Sequence, residues 1–419
     1  MSSKKRSEST LVITYFYGVQ GCCPAEWADD KVHALNESKK NIILLTSMLS
    51  QKSSDSNVKH YRIPSLSIAD LQHEINETKQ LGRKVPYFKV LMFLPFVLTL
   101  GLLLDLLQKV VTAGNGGGKW SWAFPAAIVA LYLSIRYRTK LIFTTGGPAS
   151  AHLAGVFVRA LTGKRLVCEL QDPLTGKDIG RNSRSALLLG WVESLMIKNA
   201  NKVVYVTKQA AEYVKNRYPK GRANIVGVYP GSWPFKQIKN DESSVSSSAL
   251  TIIHLGTLYS TRNLYTLIEA IDELIDSGAI ASNEIEILNL GEIYGEIKDH
   301  HLQRSYVRQE SIKPREEAVI LASKYKVSLL VQHSDDRSNA TIPYKTYDYL
   351  NIGNPILALT NNEELYDLLA INGHLPVAVD DVSAIKVALL GLLNNYPEFK
   401  RKVKPLAIDI LKQTSLMLE

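Results

Sequence analysis

Strand-length apolar runs alternate with helix-length segments almost from end to end of this chain, and the alternation restarts after a polar stretch at 236–249. Few folds accept that pattern, because each strand needs a parallel neighbour reached through a crossover helix. In the first half the runs Leu11–Tyr17, Asn41–Thr46, Val58–Ile63, Leu141–Thr145, Arg165–Leu170, Lys202–Val206 and Ala223–Val228 read as strands. In the second half Leu250–Leu255, Glu284–Leu290, Arg304–Arg308, Val327–Gln332, Pro355–Thr360 and Leu375–Val379 do the same. The expected architecture is therefore α/β, with two Rossmann-like parallel-sheet domains. Their expected limits are 1–235 and 250–395, with a linker at 236–249 rich in Ser, Asp, Glu, Lys and Asn and a helical tail at 396–419.

With 419 residues the chain exceeds what one core usually supports, which agrees with two domains. Lys and Arg outnumber Asp and Glu by 49 to 40, so an anionic partner suits the surface, whether nucleic acid, lipid headgroup or nucleotide phosphate. Three cysteines are too few for a disulfide framework. Cys168, in an apolar run, reads as a buried core thiol, and the expected compartment is the reducing cytosol. Lys4, Lys5 and Arg6 ahead of Leu11–Val19 imitate a secretion signal. That run is short and is interrupted by Thr14, Tyr15 and Tyr17, so it reads as a first strand.

One segment breaks the alternation. Val90 to Leu104 carries no charge, and its fifteen residues at ~1.5 Å each reach about 22 Å, short of a ~30 Å hydrocarbon core. Spanning would bury Asp105 and Gln108 in lipid. Arg83, Lys84, Lys89, Lys109 and Lys119 bracket the run, and a second apolar helix with Trp120 and Trp122 at its start ends at Arg136, Arg138 and Lys140. The segment 87–135 is thus expected to lie in a membrane interface, with burial inside the first domain and a true span as the alternatives.

Common templates for chemistry fail. No G-x-G-x-x-G follows a strand, Gly114–Lys119 does not have P-loop spacing, and no H-E-x-x-H, paired C-x-x-C or G-x-S-x-G is present, so no bound metal is expected. Four strand-to-helix loops remain. Thr144-Thr145-Gly146-Gly147-Pro148-Ala149-Ser150-Ala151-His152 opens a helix whose free N–H groups favour anions, and it puts His152 near the carboxyl edge of the sheet. Glu169 to Gly176 carries Asp172, which the simplest reading makes a turn cap. Gly256-Thr257-Leu258-Tyr259-Ser260-Thr261-Arg262-Asn263 suits a diphosphate cradle. Ile342 to Ile356 sets Lys345 and Asp348 three apart on one helical face, either as a surface salt bridge or as a cation for phosphate and a carboxylate for sugar hydroxyls.

Taken in order, the loops resemble the GT-B, retaining, family-four-type glycosyltransferases of bacterial polysaccharide and lipopolysaccharide biosynthesis. The resemblance spans nearly the whole chain. It runs through Gly147, Pro148, His152 and Leu153; Asp172 and Pro173; Gly256 to Asn263; and Pro343, Lys345, Tyr349, Leu350, Gly353 and Pro355. It implies two domains facing a cleft and transfer of a sugar, with retention and without metal, from a nucleotide-sugar co-substrate to a saccharide acceptor carried on a polyprenyl diphosphate. No other cofactor and no nucleic-acid partner are implied. His152, Asp172, Arg262 and Lys345 would be catalytic, and Gly256, Thr257, Arg262, Asn263, Lys345 and Asp348 would hold the donor. Gly18, Gly146, Gly147 and His152 would face the acceptor.

The chain departs from the family pattern in four places. Gln171 stands for the usual Arg, Leu174 for Trp and Asp348 for the ribose-binding Glu, and Ala340 sits where the first carboxylate of an E-x7-E pair is expected. A peripheral or monotopic enzyme at the cytoplasmic face of the inner membrane follows from the resemblance together with segment 87–135. A silent GT-B subunit and a sugar-nucleotide epimerase are the alternatives. Retention of Arg262 and Lys345 weighs against the first, and the apolar segment against the second.

Overall fold

A computed structural model describes residues 9–19, 21–38, 41–112, 119–176, 183–234, 249–404, 406 and 408–419. Residues 236–248 of the expected linker 236–249, the glycine run 114–118 and the N-terminal basic residues lie outside them. The chain forms two compact units, one of residues 1–229 with 410–419, the other of 230–409.

In the first unit the elements are β1 (Ser9–Ile13), α1 (Cys23–Glu37), β2 (Asn41–Ser47), β3 (Val58–Ile63), α2 (Ile68–Gln80), α3 (Tyr87–Thr112), a 3-10 turn (Trp120–Trp122), α4 (Ala123–Arg136), β4 (Leu141–Thr145), α5 (Ser150–Thr162), β5 (Arg165–Leu170), α6 (Ser183–Asn199), β6 (Lys202–Tyr205), α7 (Lys208–Arg217) and β7 (Asn224–Gly227). Among the described residues its strands form one parallel sheet in the order β3-β2-β1-β4-β5-β6-β7. Leu11 sits in register with Ile43 on one side and Ile142 on the other. The strands are nearly continuous in apolar residues because helices cover both faces. The strand order reverses at β1, so a crevice opens between the carboxyl ends of β1 and β4.

The second unit repeats the plan with β8 (Leu250–Leu255), α8 (Tyr265–Asp276), β9 (Ile285–Leu290), α9 (Ile297–Leu302), β10 (Val307–Glu310), α10 (Arg315–Ala322), β11 (Val327–Val331), α11 (Lys345–Ile352), β12 (Ile356–Leu359), α12 (Glu363–Ile371), β13 (Leu375–Val377) and α13 (Val382–Lys402). Its described strands are all parallel, in the order β10-β9-β8-β11-β12-β13, with the reversal at β8. The expected strands and helices are present, most of them with shifted ends.

The domain limits differ from the expected ones. The chain enters the second unit at Pro230, where Ser232 N–H donates to Ile408 C=O at 3.0 Å and pairs as a bridge with Asp409. The expected separate tail is divided. Its start extends α13 past Asn395, a non-helical residue two before Pro397, and its end, α14 (Ile410–Leu418), joins the first unit. Met417 and Leu418 pack there with Val12, Val32 and Leu35, because an apolar helix face left alone in water finds the nearest open core.

Helix α3 is mounted on the first unit along one flank. Val90, Phe93, Val97 and Leu104 pack with Leu66, Ile68 and Leu71, and Gly101 lies so close to Ile68 that an added Cβ would come within 2.8 Å. Asp105 accepts from Ile68 N–H at 3.1 Å and Ala69 N–H at 3.3 Å, covering free donors at the start of α2. Gln108 accepts from Ser121 N–H. The other flank is bare: Phe88, Leu91, Leu98, Leu102 and Leu106 are exposed, Phe88 by 80%. The expectation of an interfacial pair of tryptophans fails for Trp122. It is fully buried, stacks edge-on against Tyr15 and donates to Ile63 C=O at 3.3 Å.

Candidate active site

The carboxyl edge of the second sheet gathers the largest set of expected residues. Strand β8 ends in His254 and Leu255, and Gly256 turns the chain with φ +119°, a backbone shape that a Cβ disfavours. Gly256 N–H donates to Leu290 C=O at 2.9 Å, and Gly291 lies so tightly under Gly256 that a Cβ there would collide with it. The loop then closes on itself. Tyr259 and Arg262 exchange backbone hydrogen bonds of 2.8 and 2.7 Å, while Tyr259 hydroxyl and Thr261 hydroxyl each lie 2.9 Å from a nitrogen of His333. Asn263 bonds Ser260 C=O through its amide N–H and accepts from Tyr265 N–H, which shapes the start of α8.

Lys345, the first residue of α11, reaches back to that edge. Its Nζ lies 2.5 Å from His254 Nε2 and donates to Leu255 C=O at 2.7 Å. Four residues on, the buried Tyr349 hydroxyl accepts from Leu255 N–H at 2.8 Å, so α11 grips the strand end twice. A Cβ on Gly256 would stand 3.7 Å from Lys345 Nζ. Arg262 brings a second cation. Its Cζ is 5.6 Å from the Tyr259 ring centre, and its Nε is buried without a hydrogen-bond partner. Burial holds His254 far below the usual imidazole range, and the charges of Lys345 and, less strongly, Arg262 push it the same way. Lys345 thus stands at the strand end, and Arg262 lies on the loop that leaves it.

Asp348 takes a different part from the one expected. Its Oδ1 accepts from Arg315 at 2.6 Å and from Ser232 hydroxyl at 2.7 Å, and its Oδ2 accepts from Arg315 at 2.9 Å. The carboxylate is buried within this set rather than open for a sugar hydroxyl. Aspartate is one methylene shorter than glutamate, so it stops at the guanidinium beside its own helix.

In the first unit the expected residues share the carboxyl edge near the β1–β4 reversal. Gly146, with φ +118°, lies against Thr14, where a Cβ would meet the hydroxyl at 3.0 Å. A Cβ on Gly147 would touch Pro24, whose carbonyl accepts from Gln171 at 3.3 Å. The loops after β1, β4 and β5 thus meet at Pro24. Asp172 is exposed beside them, and Gly18 stands apart against Gln51, its carbonyl accepting from Arg83 at 3.0 Å. His152 is fully buried because Gly155 lets α5 close onto Thr144. Its Nδ1 is 2.7 Å from Thr144 hydroxyl, and its Nε2 has no hydrogen-bond partner. Burial pushes its pKa down to about 4, so the ring is neutral at pH 7.

Sequence reasoning missed the polar groups beneath both edges. Glu169 accepts from Thr145 hydroxyl at 2.6 Å and Trp27 indole N–H at 3.2 Å, with Lys31 at 3.7 Å, tying the β4 and β5 ends to α1. His254 and Asn289 are register partners on β8 and β9. The signal was available: each is the one polar residue near the end of a strand that is otherwise apolar there.

Sequence comparison finds no matching family model and no matching curated protein. Solved structures do match. Sucrose-phosphate synthase from Thermosynechococcus elongatus is similar at TM-score 0.62 and 12% identity, over 98% of this chain and 95% of that one. HepE of Anabaena in complex with UDP and glucose matches at TM-score 0.62 and 11% identity, over 98% of both chains. The UDP-forming α,α-trehalose-phosphate synthase from Burkholderia vietnamiensis matches at 0.64 and 10%, over 98% and 96%. Identities this low speak to the fold, and with the two parallel sheets they make it GT-B.

Proposed function

We propose that the protein is a retaining, metal-independent glycosyltransferase whose donor nucleotide-sugar binds the second unit and whose acceptor meets the first. The observation that carries this reading is Lys345 Nζ held at the end of β8, with Arg262 on the glycine loop that leaves that strand, at the strand reversal of a GT-B fold. Two cations beside a glycine turn suit a diphosphate, and negative charge grows on that diphosphate as the sugar leaves. The acceptor hydroxyl would attack on the leaving-group face. Its proton would pass to the departing phosphate oxygen as the anomeric bond breaks, so no pair of catalytic carboxylates is needed. His152, neutral and buried beneath the Gly146 loop, would shape the wall of the acceptor side, and the exposed Asp172 would receive an acceptor hydroxyl. HepE of Anabaena was solved with UDP and with UDP-glucose, and a trehalose-phosphate synthase from Burkholderia xenovorans with glucose-6-phosphate, which supports a nucleotide-sugar donor and a sugar acceptor.

The acceptor in this reading is a saccharide on a polyprenyl diphosphate, used in cell-surface polysaccharide assembly. The bare flank of α3 supports it, together with exposed Phe124, Ile128 and Ile135 on α4 and the basic residues around both helices. Because the opposite flank is packed and Asp105 is engaged, α3 would lie in the interface rather than cross it. The protein would then sit at the cytoplasmic face of the inner membrane.

The test is calorimetry with UDP, GDP, ADP and dTDP, followed by mass spectrometry of the purified protein with nucleotide-sugars and a polyprenyl-diphosphate sugar. Arg262→Ala and Lys345→Ala are expected to weaken diphosphate binding about ten- to hundredfold. Unchanged binding in both variants would overturn the donor site.

A further inference from the structure

We propose that His254, backed by Asn289, is a positioning residue that fixes the Lys345 ammonium at the turn of the Gly256 loop. This deepens the donor-site reading above and rests on it.

The direction of each hydrogen bond follows from chemistry. Asn289 Nδ2 donates to Gly291 C=O at 2.8 Å, and that bond orients the amide with Oδ1 toward His254. Oδ1 only accepts, and His254 Nδ1 lies 2.6 Å from it, so Nδ1 carries the ring proton. Nε2 therefore presents a lone pair, and the atom 2.5 Å away is Lys345 Nζ, which only donates. Leu255 C=O takes a second ammonium hydrogen at 2.7 Å. A flexible four-carbon side chain is thereby held by two fixed acceptors, which lowers the ordering cost of meeting a phosphate.

A purely structural account of the pair is weak. His254 and Asn289 are both fully buried, in register on adjacent strands whose neighbouring positions are apolar. An aliphatic pair would fill that place without the cost of burying two polar groups. Donation runs in one sense, from Lys345 through His254 and Asn289 to Gly291 C=O, so each acceptor in the chain faces the cation. Burial holds the imidazole neutral, so Nε2 keeps the lone pair that accepts from Lys345.

The experiment compares wild type with Lys345→Ala, His254→Leu, His254→Gln and Asn289→Leu. The probes are whichever of UDP, GDP, ADP and dTDP binds best, measured by calorimetry, and the matching nucleoside, measured by NMR titration. Circular dichroism verifies folding. His254→Leu is expected to weaken the diphosphate about tenfold while leaving the nucleoside within about twofold. His254→Gln should recover most of the loss, since its amide oxygen can face Lys345. Asn289→Leu keeps the imidazole but frees its tautomer, and it should fall between the two. If His254→Leu fails to fold, the Gln and Asn289 variants carry the comparison. Folded variants that bind the diphosphate like wild type, while Lys345→Ala does not, overturn the positioning role and leave the donor site standing. Equal weakening of diphosphate and nucleoside, or no recovery with Gln, overturns it as well. Wild-type binding by both Lys345→Ala and Arg262→Ala removes the donor site itself.

Discussion

The Asp348 carboxylate accepts three hydrogen bonds, two from Arg315 and one from Ser232, with 5% of its side chain exposed. Removing the cation would leave that carboxylate buried and unpaired. Arg315→Met is therefore expected to destabilise the second unit by about 3–5 kcal/mol, read as a lower urea midpoint. Replacing both partners, as Arg315→Met with Asp348→Leu, should lose much less, and an equal loss would contradict the ion-pair account. His152 gives a second expectation at this scale. With its pKa held near 4 by burial, its ring is neutral through pH 5–8, so its NMR Hε1 signal should stay flat there. A midpoint near 6.5 would show an open, solvated histidine.

Helix α3 carries two faces of opposite use, and its exposed face can be altered without touching the core. Leu98 and Leu102 are 70% and 73% exposed, whereas Val97 is buried against Leu66 and Leu71. Leu98→Glu and Leu102→Glu should keep the thermal midpoint of wild type yet float less with liposomes of anionic lipid. The basic residues alongside contribute roughly 1 kcal/mol each at such a surface. Val97→Glu should instead unfold the first unit, because its charge has no partner there. Equal flotation by wild type and the two surface variants would remove the membrane reading. Asp105 marks what the pattern of one helix cannot express: a charge that seemed to oppose an apolar segment serves the first turn of α2. Local periodicity exposes an apolar run but does not say which neighbour its interruptions meet.

For the molecule as a whole, acid is the expected weakness. Burial lowers His60 to about 3 and His152, His301 and His374 to about 4. The unfolded chain takes up protons at these positions near pH 6.5 while the folded chain refuses them until about pH 4. Their contribution to stability is therefore complete above 6.5 and is lost as pH falls toward 4. Glu74 runs the other way. Burial raises it to about 7, so the folded state keeps a proton that the unfolded chain releases near 4.5, and this group costs stability as pH rises through that window. The histidines outnumber it, and the thermal midpoint should drop between pH 7 and pH 5. A midpoint that rises over that interval would refute the balance. Sugar transfer should also continue in EDTA, since Arg262 and Lys345 supply the positive charge. Full loss restored by magnesium or manganese would show that a metal does that work.

The sequence by itself determined both sheets, the placing of most strands and helices, and the loops that end in Gly146, Gly256 and Lys345. These depend on local properties: apolar runs of strand length, glycine where the backbone turns, and polar residues at helix starts. The tertiary structure alone decided which side chains share a partner. Asp348 meets Arg315 from another helix, His254 meets Asn289 from the next strand, and Trp122 turns inward to Tyr15. It alone also returned α14 to the first unit, where Met417 and Leu418 complete a core begun by residues near the start of the chain. The physical reason is separation along the chain. A pattern of neighbours fixes the face an element presents, but the energy of a buried polar group depends on what distant segment arrives to satisfy it.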